Sequence, residues 1–146
     1  MISNLLTKKE RAFFNVAKSV SHTSDYVGTS VGCVVVYKNA IVSVASNSEK
    51  THTLQKFYDR FRNFDVEHAE NKLHAEVHAL SLAKNVIFHT NISLSDISIF
   101  VYRELKNGQP AISKPCSGCF SLIKDLGIRY MFYIDEHGNF VKEKIN

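Results

Sequence analysis

The sequence predicts an α/β domain, a mixed five-stranded sheet with helices on both faces. Three observations carry this. Stretches with apolar residues at helical spacing are interleaved with short β-branched runs. Two of those runs are separated by only two residues, which makes an antiparallel hairpin, whereas later runs alternate with helical segments, which makes parallel crossovers. The chain has 146 residues, 45% of them hydrophobic and 22% charged. That is the ordinary mix of a globular chain, and the length suits a single domain over residues 1–146 with a core of its own.

The elements follow in order. Thr7 and Glu10 have capping-box spacing, and Phe13, Val16, Ala17 and Val20 then recur on one face, so residues 7–21 form an amphipathic helix. Residues 21–30 hold Ser, Thr, Asp and Gly28 and form a loop. Residues 31–37 and 40–46 are strands joined through Lys38 and Asn39. Residues 51–72 are polar with embedded aromatics; Leu54, Phe57, Phe61 and Phe64 fall on one helical face, predicted to be buried. From His74 to about His89, Val77, Leu80, Ala83 and Ile87 keep helical register. Residues 97–102 are the third strand, and 103–114, with Gly108 and Pro110, a loop. Residues 116–126 form a short helix stopped by Gly127. Residues 129–134 are the fourth strand. The turn at 135–139 is short enough for a hairpin, so the fifth strand, from Phe140, runs antiparallel to it.

Composition excludes several function classes. Eighteen Lys and Arg against 14 Asp and Glu give +4. That excess suits an anionic small molecule and is thinner than the footprint of a dedicated nucleic-acid binder. Three cysteines, Cys33, Cys116 and Cys119, argue against a disulfide framework and for a reducing, cytoplasmic setting. No apolar run reaches the roughly 18 residues of a membrane span. The N-terminal decapeptide lacks the pattern of a secretion signal.

Chemistry concentrates in two short stretches, His74-Ala75-Glu76 and Lys114-Pro115-Cys116-Ser117-Gly118-Cys119, each at the start of a helix. Cys116 and Cys119 are three apart and share a helical face, so they can grip one ion. His74 can add a nitrogen from the neighbouring helix. Two sulfurs and an imidazole suit Zn2+, and three ligands leave one tetrahedral corner for water, whose pKa zinc lowers to near 7. On a regular helix Glu76 points about 200° away from His74. In a first turn both can lean over the helix end, where a carboxylate can take a proton without ligating the metal.

These stretches match the zinc nucleobase deaminase signature H-x-E…P-C-x-x-C. The sequence resembles the cytidine/deoxycytidylate deaminase superfamily. The resemblance spans the N-terminal helix, the strand Val31-Gly32-Cys33-Val34-Val35-Val36, Asn47, the two motif-bearing helices and the strand after them. It implies a three-layer α/β/α sandwich and hydrolytic deamination of cytosine to uracil and ammonia. In that reaction His74, Cys116 and Cys119 bind zinc, and Glu76 carries a proton to N3 and then to the departing amine. Asn47-Ser48-Glu49 resembles the N-x-E of free cytidine deaminases, which implies that Asn47 and Glu49 bond the sugar hydroxyls. The backbone N–H of Ala75 is expected near the base carbonyl. The family also implies homo-oligomers whose neighbouring chains complete the pocket.

The stretch between Glu76 and Pro115 is long for a compact member. The extra length falls at 103–114, where Arg103, Lys106 and Lys114 are candidates to meet a phosphate; a solvated surface loop is the alternative. Deoxycytidylate deaminases usually carry Gly-Thr-Pro after the Asn, whereas this chain has Ser48-Glu49-Lys50-Thr51-His52. An antiparallel fifth strand leans towards nucleoside deaminases, whereas the Val31–Val36 strand leans the other way. The substrate expected first is a free (deoxy)cytidine nucleotide or nucleoside, with (deoxy)cytidylate ahead. The alternatives are single-stranded DNA or RNA, supported by the aromatic and basic residues at 51–64, and a non-catalytic zinc-stabilised binding protein. The last requires a fourth protein ligand, for which His78, His68 and Cys33 are the candidates. Cys33, among valines, otherwise reads as core, and His78 as packing beside the ligands.

Overall fold

The computed structural model describes residues 2, 3, 5–26, 28–50, 52–59 and 72–146. Phe61, Phe64, Arg60, Arg62 and His68 lie outside them.

Helix α1 spans Lys8–Ser21. Its capping box is made as predicted: Thr7 Oγ1 accepts from Glu10 N–H at 3.1 Å and Glu10 Oε1 accepts from Thr7 N–H at 2.9 Å. The buried stripe is Phe13, Phe14, Ala17 and Ser21, rotated from the expected one, so Val16 and Val20 sit half-buried at its flank. Strands β2 (Ser30–Tyr37) and β3 (Ala40–Ser46) form the predicted hairpin. Its turn residues Lys38 and Asn39 both take positive φ, 53° and 94°, the backbone that two-residue hairpin turns require.

Helix α2 (Thr53–Asp59) and helix α3 (Ala75–His89) follow, then a 3-10 turn at Leu94–Asp96. Strand β4 (Ile97–Glu104) crosses the middle of the sheet. Helix α4 (Ser117–Asp125) connects it to β6 (Tyr130–Ile134), which lies parallel to β4. Strand β7 (Phe140–Lys144) pairs antiparallel with β6, as expected for the fifth strand.

Among the described residues the sheet has seven strands rather than five, because two-residue strands join it: β1 (Ile2–Ser3) beside β7, and β5 (Pro110–Ala111) beside the end of β4. Two residues carry no periodicity to read. Residues 103–114 are therefore a hairpin, not an open loop, turned at Gly108 with φ +87°.

Each face of the sheet is covered, which makes the three-layer α/β/α sandwich. Val34, Val36, Phe100, Tyr102, Phe132 and Ile134 point towards α1. There Phe100 stacks on Phe132 at 4.0 Å between ring centroids, and Phe14 meets Phe100 edge-on at 5.4 Å. Cys33, Val35, Ile97, Ile99, Val101, Met131 and Tyr133 point the other way, against α3 and α4. Burial on both faces explains the unbroken apolar run of β2. In residues 51–64, where they are described, Leu54 packs against the core as expected, but Phe57 is 48% exposed, and the fully inward positions of α2 are Gln55 and Tyr58.

Gly32 lets α1 settle on β2. A Cβ there would lie 2.0 Å from the Ala17 carbonyl oxygen and 2.6 Å from the Ser21 nitrogen, both backbone atoms. Gly32→Ala is expected to cost about 3 kcal/mol, the top of the usual overpacking range. Urea unfolding measures this, and an unchanged midpoint would refute the packing argument.

Candidate metal centre and cavity

Two helix N-termini meet here. His74 is the N-cap of α3, in extended conformation (φ −77°, ψ 152°), and its side chain makes no capping bond. Cys116 is the N-cap of α4, and its Sγ accepts from Cys119 N–H at 3.5 Å. His74 Nδ1 lies 3.2 Å from Cys119 Sγ and 3.6 Å from Cys116 Sγ. All three donor atoms fall within 4.8 Å of one another. Tetrahedral zinc with Zn–S of about 2.3 Å and Zn–N of about 2.0–2.1 Å places N and S about 3.5 Å apart. The donor types and separations therefore fit zinc.

The thiols differ sharply. Hydrogen bonding from Cys119 is the main influence pulling the Cys116 thiol down to about 5; burial opposes it and His74 adds to it. That makes Cys116 a thiolate at neutral pH, as a metal ligand must be. Cys33 is wholly buried; burial first, and the Glu76 charge second, push its thiol up. It is a core residue outside the donor group. His78 Nδ1 sits 3.1 Å from the Ser46 carbonyl oxygen, also outside the group. Among the described residues the donor group holds three side chains, and the candidates for a fourth that are described face elsewhere.

Glu76, the second residue of α3, is 5% exposed and is not one of the three donors. Burial lifts its carboxyl above the ordinary carboxylate range, against the opposing pull of His74. A cavity of about 270 Å³ opens beside it. His74, Ala75, Glu76 and Cys116 line one part, and Asn47, Lys72, Arg103 and Lys114 line another.

The structure brings together most residues singled out from sequence. Ala75 is wholly buried at the first helical position, where the N–H has no partner within the helix. Asn47 lines the cavity and also staples the preceding loop. Its Oδ1 accepts from Ser24 Oγ at 2.6 Å and Val31 N–H at 3.0 Å, and its Nδ2 donates to the Thr29 carbonyl at 2.9 Å.

Glu49 is not among the residues that line the cavity; its carboxylate lies 3.3 Å from the Nζ of Lys72, which does line it. Lys106 is exposed at the hairpin turn, also outside the lining. Sequence reasoning missed two residues. Lys72, two positions before the His74 motif, lines the cavity. Gln55 is wholly buried, and its Oε1 accepts from the His74 backbone N–H at 3.0 Å.

Residues 7–135 match the family described as "Cytidine and deoxycytidylate deaminase zinc-binding region". The chain belongs to this deaminase family. Its fold is shared with solved members. The cytidine deaminase from Burkholderia pseudomallei is 16% identical, with a TM-score of 0.59 over 96% of this chain and 94% of that one. The dCMP deaminase from the cyanophage S-TIM5 in apo form is 19% identical, with a TM-score of 0.56 over 90% and 86%. The same cyanophage enzyme in complex with dCMP and dUMP is 18% identical, with a TM-score of 0.54 over 90% and 85%. No curated protein sequence matches the chain. The family binds zinc, and in this deaminase His74, Cys116 and Cys119 are the residues positioned to hold it.

In the metal-free deaminase, Cys116 is expected to alkylate fastest of the three cysteines at pH 7 and Cys33 slowest. Because the Cys116 value is lowered, its reactivity should persist below neutrality and fall as pH drops through about 5. Iodoacetamide labelling read by peptide mass spectrometry checks both the order and the pH. Labelling of Cys33 first would contradict the burial.

Proposed function

We propose that this chain is a hydrolytic deaminase converting cytosine to uracil in a free (deoxy)cytidine nucleotide or nucleoside, with (deoxy)cytidylate as the preferred substrate. The observation that carries the reading is Glu76: a buried carboxyl on the first turn that follows His74, beside three metal donors and facing a cavity. A purely structural metal site does not call for that group.

Zinc, when bound, supplies Lewis acidity that makes water a nucleophile near neutral pH. Glu76 would take one proton from that water and deliver it to N3 as the water oxygen bonds to C4 of the base. It would then pass that oxygen's remaining proton to the departing amine as the C4–N bond breaks, so that cytosine and water become uracil and ammonia and the carboxylate returns to its starting state. Burial of Glu76 favours this exchange, since a carboxyl lifted towards neutrality both accepts and returns a proton. The Ala75 N–H is the donor for the base carbonyl, and its place at the positive end of α3 favours an electron-rich oxygen there. Asn47 retains one Nδ2 hydrogen for a sugar oxygen. Glu49, paired with Lys72, has a weaker claim to the sugar.

A phosphate on the substrate is supported by Arg103, Lys114 and Lys72, which line the same cavity. Arg103 is held in place by Nε donating to Thr29 Oγ1 at 3.2 Å and Nη1 donating to the Ile112 carbonyl at 3.3 Å. Neither Arg103 nor Lys114 has a carboxylate partner among the described residues. Cations gathered in one cavity suit a small anionic substrate better than a polynucleotide, which needs a charged track.

Cys33, Cys116 and Cys119 form no disulfide with one another, which supports a cytoplasmic location, and no helix among the described residues is long and apolar enough to cross a membrane. Leu82, Val86 and Phe88 leave α3 partly uncovered, which supports a homo-oligomer.

Two outcomes are expected. Glu76→Gln should keep zinc and the folded melting profile while lowering ammonia release by about 10²–10⁴-fold; activity near wild type would exclude the proposed proton carrier. Arg103→Ala should reduce kcat/KM for dCMP about tenfold or more, the worth of a hydrogen bond to a charged group, and leave cytidine turnover unchanged. A panel of cytidine, deoxycytidine, their mono- and triphosphates and a cytosine oligonucleotide reads this out. Turnover of the oligonucleotide alone would replace the substrate assignment.

A further inference from the structure

We propose that Gln55 is a positioning residue for the metal ligand His74, acting through the His74 backbone. The inference rests on the reading of the site as a zinc-dependent deaminase.

A helix start normally satisfies its N-cap backbone N–H with a Glu or Gln side chain three residues on, in a capping box. Helix α1 does this with Glu10. In α3 that third position is Val77, which is apolar and wholly buried. The N-cap side chain is itself His74, turned towards Cys116 and Cys119. The acceptor comes instead from another helix: Gln55 Oε1 takes the His74 N–H at 3.0 Å.

Gln55 is 0% exposed, and the helix that carries it is pinned at two points. His52 Nδ1 accepts from Leu54 N–H at 3.0 Å near its start, and Tyr58 OH donates to Asp125 Oδ2 at 2.9 Å, at the end of α4. The second of these bonds and the Gln55–His74 bond tie the acceptor's helix to both donor-bearing helices, while the first is local to the start of α2. Holding this N–H sets the extended conformation of His74, and with it the aim of the imidazole at the two sulfurs. An apolar side chain of the same length could not make the bond to the His74 N–H that this buried amide makes.

The experiment uses full-length zinc-loaded protein, with Gln55→Met, which keeps the length and removes the amide, and Gln55→Glu, which keeps an acceptor oxygen. Zinc affinity is read by competition with a chromophoric chelator, ligand geometry by the visible spectrum of the cobalt-substituted protein, and folding by thermal melting. Gln55→Met is expected to melt cooperatively, to bind zinc about tenfold more weakly and to show an altered cobalt spectrum; Gln55→Glu should recover most of both. Wild-type affinity and spectrum in Gln55→Met would overturn the proposal, and so would a Gln55→Glu variant as impaired as Gln55→Met. If Gln55→Met does not fold, Gln55→Asn decides: its amide is withdrawn by one methylene, so weakened zinc binding supports the role and unchanged binding overturns it. Metal affinity is measured without substrate. A folded Gln55→Met that keeps its zinc while the wild type releases ammonia from dCMP would end this inference alone. Weakened zinc binding in a protein that turns over no cytosine substrate would end the deaminase reading alone.

Discussion

The convergence of two helix N-termini on one cavity is the constraint from which the rest of the site follows. α3 and α4 begin within bonding distance of each other because β4 and β6 are parallel and α4 must cross between them. On the opposite side of β4, the antiparallel β2–β3 hairpin carries α3 on the same face of the sheet. Reversing β6 would remove the crossover and place Cys116 away from His74. The aromatic layer under α1 contributes no donor, but it covers the other face and so keeps β2 and β4 fully buried.

The chemistry depends on what helix starts offer. Backbone N–H groups there lack intrahelical partners and carry a partial positive charge. Cys116, as an N-cap, accepts one of those hydrogens on sulfur, which favours the thiolate. Glu76 sits in the first turn of the other helix, where position favours its charge, while burial disfavours it. The two influences act in opposition on a carboxyl that lies beside the three metal donors.

Much of this arrangement was legible in the sequence, and what was legible was local. Thr7 and Glu10 announce their own bond three residues apart; Lys38-Asn39 announces a hairpin; the spacing within Cys116-Ser117-Gly118-Cys119 announces a shared face, and His74-Ala75-Glu76 announces itself as a motif at a helix start. The short turn at Asp135–Asn139 was enough to orient β7. What escaped depends on contacts distant in sequence. β1 and β5 exist only because a long neighbouring strand offers an edge. Phe57 was assigned to a buried face by spacing, yet the side of α2 facing inward is chosen by Tyr58 reaching Asp125. Glu49 follows Asn47 at a familiar interval, but nothing near it in the chain announces its ion pair with Lys72. Nothing around Gln55 in the chain suggests the backbone it meets.

Ser113 stands between the β4–β5 hairpin and the Cys116 motif. Its hydroxyl donates to the Val101 carbonyl at 2.7 Å and accepts from Ile134 N–H at 2.7 Å, and its own N–H donates to the Ile134 carbonyl at 2.9 Å. One small side chain thus clamps the segment to both parallel strands just before Pro115. The hairpin tip at Leu105–Gly108 is thereby insulated from the sulfurs: insertions or deletions there leave the cysteines in register. Such a partition frees that outer edge to vary in length without disturbing the donor group.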